Sequence, residues 1–384
     1  MKCNWKECTL GDLITFQRGH DLPKSQMING KYPVVGSNGI IGYHNEYTTE
    51  APSITIGRSG NVGNPYIVYG RTWSHNTTLY VKDFKGNDPV FVYYFLKTMD
   101  LANYAGGSAV PTLNRNHIHT LPIEVPESVG VQKKIGYYLR LFDEKIELNN
   151  EINNNLEQQA QAIFKSWFVD FEPFGGVQPP EMKFVPLQEL CKVVTKGTTP
   201  TTLGKPFTSS GINFIKAESI LDSHSIDSSK FAFIDEETNA LLKRSIIKAN
   251  DIVFTIAGTL GRFAMVDNSV LPANTNQAVA IIRPDENKVT PAYLYSFFIG
   301  NWHNEYYSKR IQQAVQANLS LTTIKSLPIA VLSNTTMNDY DELVSPLFAL
   351  MKGNEEENRR LSELRDTFLP KLMSGELDVS NIEL

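Results

Sequence analysis

The sequence predicts an α+β protein: two β-rich domains, each followed by a long helix, the two helices pairing as an antiparallel coiled coil with pseudo-two-fold symmetry. Three observations carry this. A helical segment from about Val131 to Phe171 has no proline and a single glycine, Gly136. A second helical segment runs from Asp339 to Leu377. The chain ahead of each reads as the same succession of short strands, glycine turns and one short helix. At about 1.5 Å per residue, roughly 40 residues make a rod about 60 Å long, too long for an ordinary globular helix and too polar to span a bilayer. Such a rod needs a partner, and the chain supplies one.

Spacing names the pairing residues. Ile135, Phe142, Asn149, Leu156 and Ile163 stand at seven-residue steps, the seam of a coiled coil with one polar interruption. Tyr340, Leu347, Asn354, Leu361 and Phe368 form the second series, each 205 positions after its counterpart, which sets Asn354 opposite Asn149. A buried Asn in such a seam costs stability and fixes register. Two helices from a tandem duplication pair most simply antiparallel, which would carry one domain to each end of a spacer of fixed length.

The boundaries follow. Residues 1–126 form the first β-rich domain, 127–182 a central helical spacer and linker, 183–332 the second domain, and 333–384 a C-terminal helical spacer. Gly175, Gly176, Pro179 and Pro180 stop the first helix. In the first domain YPVVGSNGIIGY, PSITIGRSGNVG and NPYIVYG read as strands, PVFVYYFLKTMD (89–100) as a helix and IHTLPIEVP as a closing strand. The second domain repeats them. NDIVFTIAGTLGRFAMV matches PSITIGRSGNVGNPYIV, with Gly60 against Gly258 and Gly63 against Gly261. TPAYLYSFFIG matches DPVFVYYFLKT, IKSLPIAVL matches IHTLPIEVP, and the offset is expected to stay between about 198 and 206 residues.

Composition bounds the class. With 384 residues, 41% hydrophobic and 20% charged, the chain reads as ordinary globular protein. No apolar run approaches a membrane span and no signal-peptide core opens the chain, so a cytoplasmic protein is expected. Cys3, Cys8 and Cys191 are odd in number, lack CxxC spacing and read as reduced thiols. The net charge of −5 divides as +2 over residues 1–126, −4 over 127–182, +3 over 183–332 and −6 over 333–384. The acidity belongs to the helices, and the mildly positive domains are compatible with a nucleic-acid partner.

Catalytic constellations are missing. GRSGNVG has no phosphate-binding Lys and opens no amphipathic helix, and AGTLGR fails likewise. His117-x-His119 is the one close histidine pair, and its counterpart Thr323-Ile324-Lys325 argues against a metal. The chain is therefore expected to be non-catalytic, with no metal and no cofactor of its own. What remains is binding by loops that join glycine to cationic, amide or hydroxyl groups. In the first domain these are Gln17 and Arg18, Ser37 and Asn38, Arg58, Ser59 and Asn61, and Asn114 and Arg115. The second offers Lys196 and Thr198, Lys216, Thr259 and Arg262, and Asn274, Asn276 and Gln277. Arg matches guanine and Asn or Gln matches adenine through paired hydrogen bonds, while Ser, Thr and Lys suit phosphates. Turns favour Gly, Asn, Ser and Thr on their own account, which leaves a duplicated non-DNA binding or scaffold protein as the alternative.

The helix ends narrow the choice. AIFKSWFVDFEPF (162–174) and LRDTFLPKLMSGELDV (364–379), with TLPIEVP and SLPIAVL each leading into a helix, resemble type I restriction-modification specificity subunits over essentially the whole chain. The resemblance implies two target-recognition domains that each read one half of a bipartite double-stranded DNA site. It implies helices that set the unread spacer and dock two DNA adenine methylation subunits, with restriction/translocase subunits joining in phage defence. S-adenosylmethionine and ATP would then sit on the partner subunits only. Trp167, Phe168 and Phe171 fit a docking face on the rod, and equally fit a cap on the coiled coil. No base-contacting residue carries over from the family, so the loop residues above rest on their own chemistry.

Overall fold

The computed structural model describes residues 4–107, 111–302, 306 and 318–382. The chain divides into two compact units, residues 1–149 with 356–384 and residues 150–355. Each long helix gives one half to each unit. Cys3 lies outside the described residues.

The first unit holds β1 (Trp5–Thr9), α1 (Leu10–Leu13), β2 (Thr15–Arg18), β3 (Tyr32–Gly36), β4 (Gly39–His44), β5 (Ser53–Gly57), β6 (Pro65–Val68), β7 (Trp73–Ser74) and β8 (Thr78–Asp83), then α2 (Pro89–Thr98), α3 (Arg115–His119), β9 (Pro122–Pro126) and the start of α4 (Val129–Phe168). β1 pairs with β9, a four-stranded sheet runs β2-β8-β5-β6, and a three-stranded sheet runs β4-β3-β7 with β7 parallel to β3. Asp88 caps α2 by accepting from Phe91 N at 2.9 Å, and Pro89 stands where a missing N–H costs nothing.

The second unit repeats this order with β10 (Lys183–Pro186), β11 (Cys191–Lys196), β12 (Ile212–Ile215), β13 (Ala232–Ile234), α5 (Glu236–Leu241), β14 (Ile252–Thr255), β15 (Phe263–Met265), β16 (Ala273–Thr275), β17 (Val279–Pro284), α6 (Pro291–Ile299), α7 (Leu321–Lys325), β18 (Pro328–Val331) and the start of α8 (Asn334–Met373). Its sheets are β10-β18, β11-β17-β14-β15 and β13-β12-β16, strand for strand those of the first unit. Thr290 and Pro291 open α6 as Asp88 and Pro89 open α2. Gly63 and Gly261 both take positive φ, +80° and +85°, and donate to equivalent carbonyls, Gly57 at 2.8 Å and Thr255 at 3.0 Å. The duplication is one of topology down to single hydrogen bonds.

The expected offset range of about 198 to 206 does not hold throughout. Gly19 and Gly197 are equivalent, since each would drive a Cβ into a neighbouring carbonyl, of His75 or of Thr275. They lie 178 positions apart, whereas Gly60 and Gly258 lie 198 apart. The second unit therefore carries twenty extra residues between β11 and β14, around its β12–β13 pair.

The helices α4 and α8, each of 40 residues, pair antiparallel within each unit. In the first unit the Asp143 Oδ1 accepts from Arg365 Nη1 at 2.6 Å and its Oδ2 from the Tyr94 hydroxyl of α2 at 2.5 Å. Phe142 stacks on Phe368 with centroids 6.2 Å apart, and Lys145 lies 3.2 Å from Glu357. In the second unit Tyr340 is buried among Phe164, Trp167 and Phe168. Of the expected seam, Ile135, Asn149, Leu156 and Tyr340 are buried, and Phe142, Ile163, Leu347, Leu361 and Phe368 half-buried. Among the described residues no helix is long and apolar enough to cross a membrane.

One expectation is corrected here. Asn149 does not face Asn354. In the first unit Asn149 donates to Glu357 Oε2 at 2.8 Å and Asn358 Oδ1 at 2.9 Å. In the second, Asn354 donates to Asn153 Oδ1 at 2.7 Å. A shift of 205 takes Asn149 to Asn354 and Asn153 to Asn358, so each Asn meets the repeat-equivalent of the other. Antiparallel pairing of two like helices requires this crossing at any position away from the midpoint. Of the two readings of the aromatic end of α4, the structure favours the cap. Phe168 is buried in the second unit's core, and Trp167 and Phe171 pack against it, Trp167 edge-on to Phe174 at 6.0 Å. They cap the helix pair.

Asp143 and Arg365 are 15% and 19% exposed, and Arg365 also pairs with the exposed Asp366 at 2.8 Å, so removing Asp143 leaves the Tyr94 hydroxyl without its acceptor and Arg365 with its exposed partner. Asp143→Ala is expected to cost about 2 kcal/mol, read as a lower urea midpoint of the purified chain, with Asp143→Asn intermediate because it keeps the Tyr94 bond.

Candidate nucleic-acid interface

Thr77, in the turn before β8, ties the first unit's loops together. Its carbonyl accepts from Arg58 N at 2.8 Å and Ser59 N at 3.2 Å. Its hydroxyl accepts from Ser37 N at 3.3 Å and bonds His75 Nδ1 at 3.0 Å. Arg58 O in turn accepts from Leu113 N at 2.9 Å, and Gly19 N donates to Thr78 O at 3.0 Å. Five segments distant in sequence are thereby tied together, four by backbone bonds and that of Ser37 by the Thr77 hydroxyl.

The result is a cleft of about 540 Å³ lined by Arg18, Arg58, Asn114, Arg115 and His117 over Leu79 and Leu113. Four of the residues expected from sequence meet here. Arg58 and Arg115 have no ion-pair partner among the described residues, and Arg18 lies 3.5 Å from Asp21 at the limit of a contact. Unpaired guanidinium groups over a concave, partly apolar floor concentrate positive potential for a polyanion. Asn114 spends its side-chain oxygen on Asn116 N at 3.0 Å, capping α3. Ser37 and exposed Asn38 form the β3–β4 turn, Ser59 follows Arg58, Asn61 accepts from the Asn64 amide, and Gln17 stands within β2 opposite Tyr80. His119 closes the segment inward: its Nε2 accepts from Phe16 N at 3.0 Å. Burial first, then Arg115 and Lys85, hold that imidazole below its ordinary pKa, in the neutral form the bond requires.

The second unit uses the same backbone lacing with different side chains. Ile256 N donates to Ala278 O at 2.8 Å where Arg58 N meets Thr77 O, and Leu319 N reaches Ile256 O at 2.9 Å. Lys196, Thr198, Asn276 and Gln277 gather at the β11–β17 end: Gly197 N donates to Asn276 O at 3.1 Å, and the Thr199 hydroxyl bonds Gln277. Lys216 lies 3.6 Å from Glu218 and over the Phe207 ring. Thr259 gives its carbonyl to the Thr255 hydroxyl.

Two of the expected residues are already engaged within the protein. Asn274 is fully buried, and its amide donates to Asn239 Oδ1 at 2.8 Å and Leu242 O at 3.3 Å, so no ligand reaches it. Arg262 spends its side-on edge on Asp222, Nε to Oδ1 at 2.7 Å and Nη2 to Oδ2 at 2.6 Å. The thiols take no part: burial pushes Cys191 up to about 12 and raises Cys8 too, leaving both protonated at neutral pH.

A family model described as the type I restriction modification DNA specificity domain matches residues 2–158 and 179–332. The chain belongs to the type I restriction-modification specificity subunits. Its relatives include the type I restriction enzyme MjaIX specificity subunit of Methanocaldococcus jannaschii, 26% identical over 311 residues that cover 76% of this chain and 70% of the relative. The HindI specificity subunit of Haemophilus influenzae is 24% identical over 368 residues, covering 75% and 77%. The crystal structure of the S subunit from M. genitalium shares the fold, with a TM-score of 0.60, 18% identity and 96% of each chain covered. A specificity subunit is a non-catalytic component of a larger restriction-modification enzyme.

In this specificity subunit, His75, Thr77 and His117 escape a reading by residue type, as do Asp222 and Arg244, whose Nη2 lies 3.4 Å from Thr198 Oγ1. Aligning the copies would have found the first two: SHNTT (74–78) occupies the place of the 274–278 loop already singled out. Thr77→Val removes only the hydroxyl. It should cost about 1 kcal/mol and speed amide exchange at Ser37 while leaving β5 and β8 amides protected, as hydrogen-exchange mass spectrometry would show.

Proposed function

We propose that the two recognition domains, residues 1–126 and 183–332, each read one half of a bipartite double-stranded DNA site. The helical spacers, 127–182 and 333–384, then set the number of unread base pairs and dock two DNA adenine methylation subunits, which restriction/translocase subunits join. S-adenosylmethionine and ATP are bound by those partners, and the assembly works in the cytoplasm beside its DNA. The observation that carries this is the convergence of Arg58 and Arg115, neither with an ion-pair partner among the described residues, with Arg18 on one cleft of a scaffold present twice. Duplicated heads with unlike loops suit two unlike half-sites.

The direct test is a base-resolution map of methyladenine in a host, with and without this chain beside an active methylation subunit. One split motif that depends on the chain is expected, and a map unchanged by the chain would remove the DNA reading. With the assembled complex, Arg58→Ala and Arg115→Ala should each relax or weaken one half-site and lower the salt slope by about one. Equal loss at both halves would contradict a two-headed reader. Four residues inserted in both α4 and α8 should lengthen the unread spacer in the methylation map, and an unaltered spacer would refute the ruler.

A further inference from the structure

The cations of the first unit's cleft are not neutralised by the chain itself. Arg58 is half-buried, and neither its guanidinium nor that of Arg115 has a hydrogen-bond or ion-pair partner among the described residues. Arg18 meets only the exposed Asp21, at 3.5 Å. No Asp or Glu lines the cleft. A charge drawn away from water is costly unless an opposite charge meets it. The cations are also held in place by main-chain bonds: Arg58 N donates to Thr77 O at 2.8 Å, and Leu113 N donates to Arg58 O at 2.9 Å. Fixed cations without an internal counter-charge call for an anion from outside the chain.

On DNA the choice lies between a guanine edge and a backbone phosphate. Guanine offers O6 and N7, which a single guanidinium satisfies, and it brings no charge. A phosphodiester carries a full negative charge and takes a guanidinium fork through paired oxygens. Three guanidinium groups around one recess therefore match the phosphate. Shape agrees, because base edges lie at the bottom of a groove about 8.5 Å deep and are read by elements that protrude into it. Backbone phosphates stand on the outside of the duplex, where a recess can receive them. Asn114 points the same way. Its amide oxygen accepts from Asn116 N at 3.0 Å, which turns inward the acceptor half of the pair that would match adenine. The second copy sets Lys196, Ile256 and Leu321 against Arg18, Arg58 and Arg115, through the equivalence of Gly19 with Gly197 and of Leu113 N with Leu319 N. Isoleucine at the position of Arg58 is thus compatible with the same main-chain bonds.

Building on the DNA reading above, we propose that the first unit's cleft clamps a backbone phosphate of its half-site among Arg18, Arg58 and Arg115, and so positions the duplex without reading a base. The probes are duplexes carrying the mapped site in which one linkage at a time is an uncharged methylphosphonate. Bound by the assembled methylation complex, neutralising one linkage in one half should weaken wild-type affinity about tenfold or more, the worth of a charged hydrogen bond. Arg58→Ile should weaken binding of the unmodified duplex to a like degree and lower the salt slope by about one. The same variant should be indifferent to the methylphosphonate at that linkage. Single-base variants of that half should lose affinity by one common factor, leaving the methylated motif unchanged.

A scan in which no linkage is sensitive overturns the proposal, as does methylphosphonate sensitivity that persists undiminished in Arg58→Ile. So does relaxation of the motif at one guanine in that variant, the mark of a base contact. Failure to bind any bipartite sequence would instead sink the DNA reading, a distinct outcome. The wild-type scan does not depend on how a variant folds, and Arg115→Leu, also the second copy's residue, repeats the comparison where Arg58→Ile does not assemble.

Discussion

The structure rests on apolar helix seams that are buried inside the heads as well as against each other. In the first unit Ile135 and Leu139 of α4 and Leu372, Met373 and Val379 near the C-terminus share one core with Phe16, Ile56 and Phe91. In the second, Ala160, Phe164 and Phe168 join Tyr340 and Val344 in the core of Phe254, Phe263 and Phe298. An isolated helix gains little from propensity alone, and most of its stability comes from burying an amphipathic face. Each head is thus completed by two helix halves that are far apart in sequence, and neither head is closed without them. A rigid connection between recognition loops and helix follows within each unit, because turning a head on its helix half would open its core.

The polar interruption of the seam is only half satisfied, because the buried Asn149 Oδ1 has no hydrogen-bond partner among the described residues. Asn149 is fully buried, and its amide reaches Glu357 and Asn358. That amide first, and then Lys145, hold the Glu357 carboxyl below the ordinary carboxylate range. Heptad spacing made the seam and its polar slot legible in the sequence. It could not give the crossing of Asn149 with Asn358 and Asn153 with Asn354, because seven-residue periodicity fixes which face is buried and not where two antiparallel helices meet. Trp167 and Phe171 were ambiguous for a similar reason. An aromatic residue at a helix end reads the same whether a partner protein or Tyr340 covers it.

The recognition surface divides along the same line. Residue type picked out Arg18, Arg58, Asn114 and Arg115, which the fold brings to one cleft. It missed Thr77, whose work is done by a carbonyl and a hydroxyl that any turn possesses. It also chose Asn274 and Arg262, whose side chains are consumed by Asn239 and Asp222, 35 and 40 positions away. Asp222 lies in the stretch where the second copy has twenty extra residues, so no pattern shared by the copies could point to it. Pairing is a tertiary fact, and composition is blind to it.

The contrast between the heads then has a simple electrostatic form. In the first, Arg58 and Arg115 line the cleft with no carboxylate partner among the described residues. In the second, Lys205, Lys216 and Arg262 each meet one, at 2.7, 3.6 and 2.6 Å. Exposed pairs of this kind are worth only about 0–1 kcal/mol, yet they weaken the local field around those three groups. The second keeps Lys196, and Arg244 3.4 Å from the Thr198 hydroxyl, beside the neutral groups of Asn276 and Gln277. Both arrangements hang on one set of backbone bonds, Arg58 N to Thr77 O in one copy and Ile256 N to Ala278 O in the other. Because these bonds join main-chain groups, the side chains at 58 and 256 can differ between the copies without disturbing them.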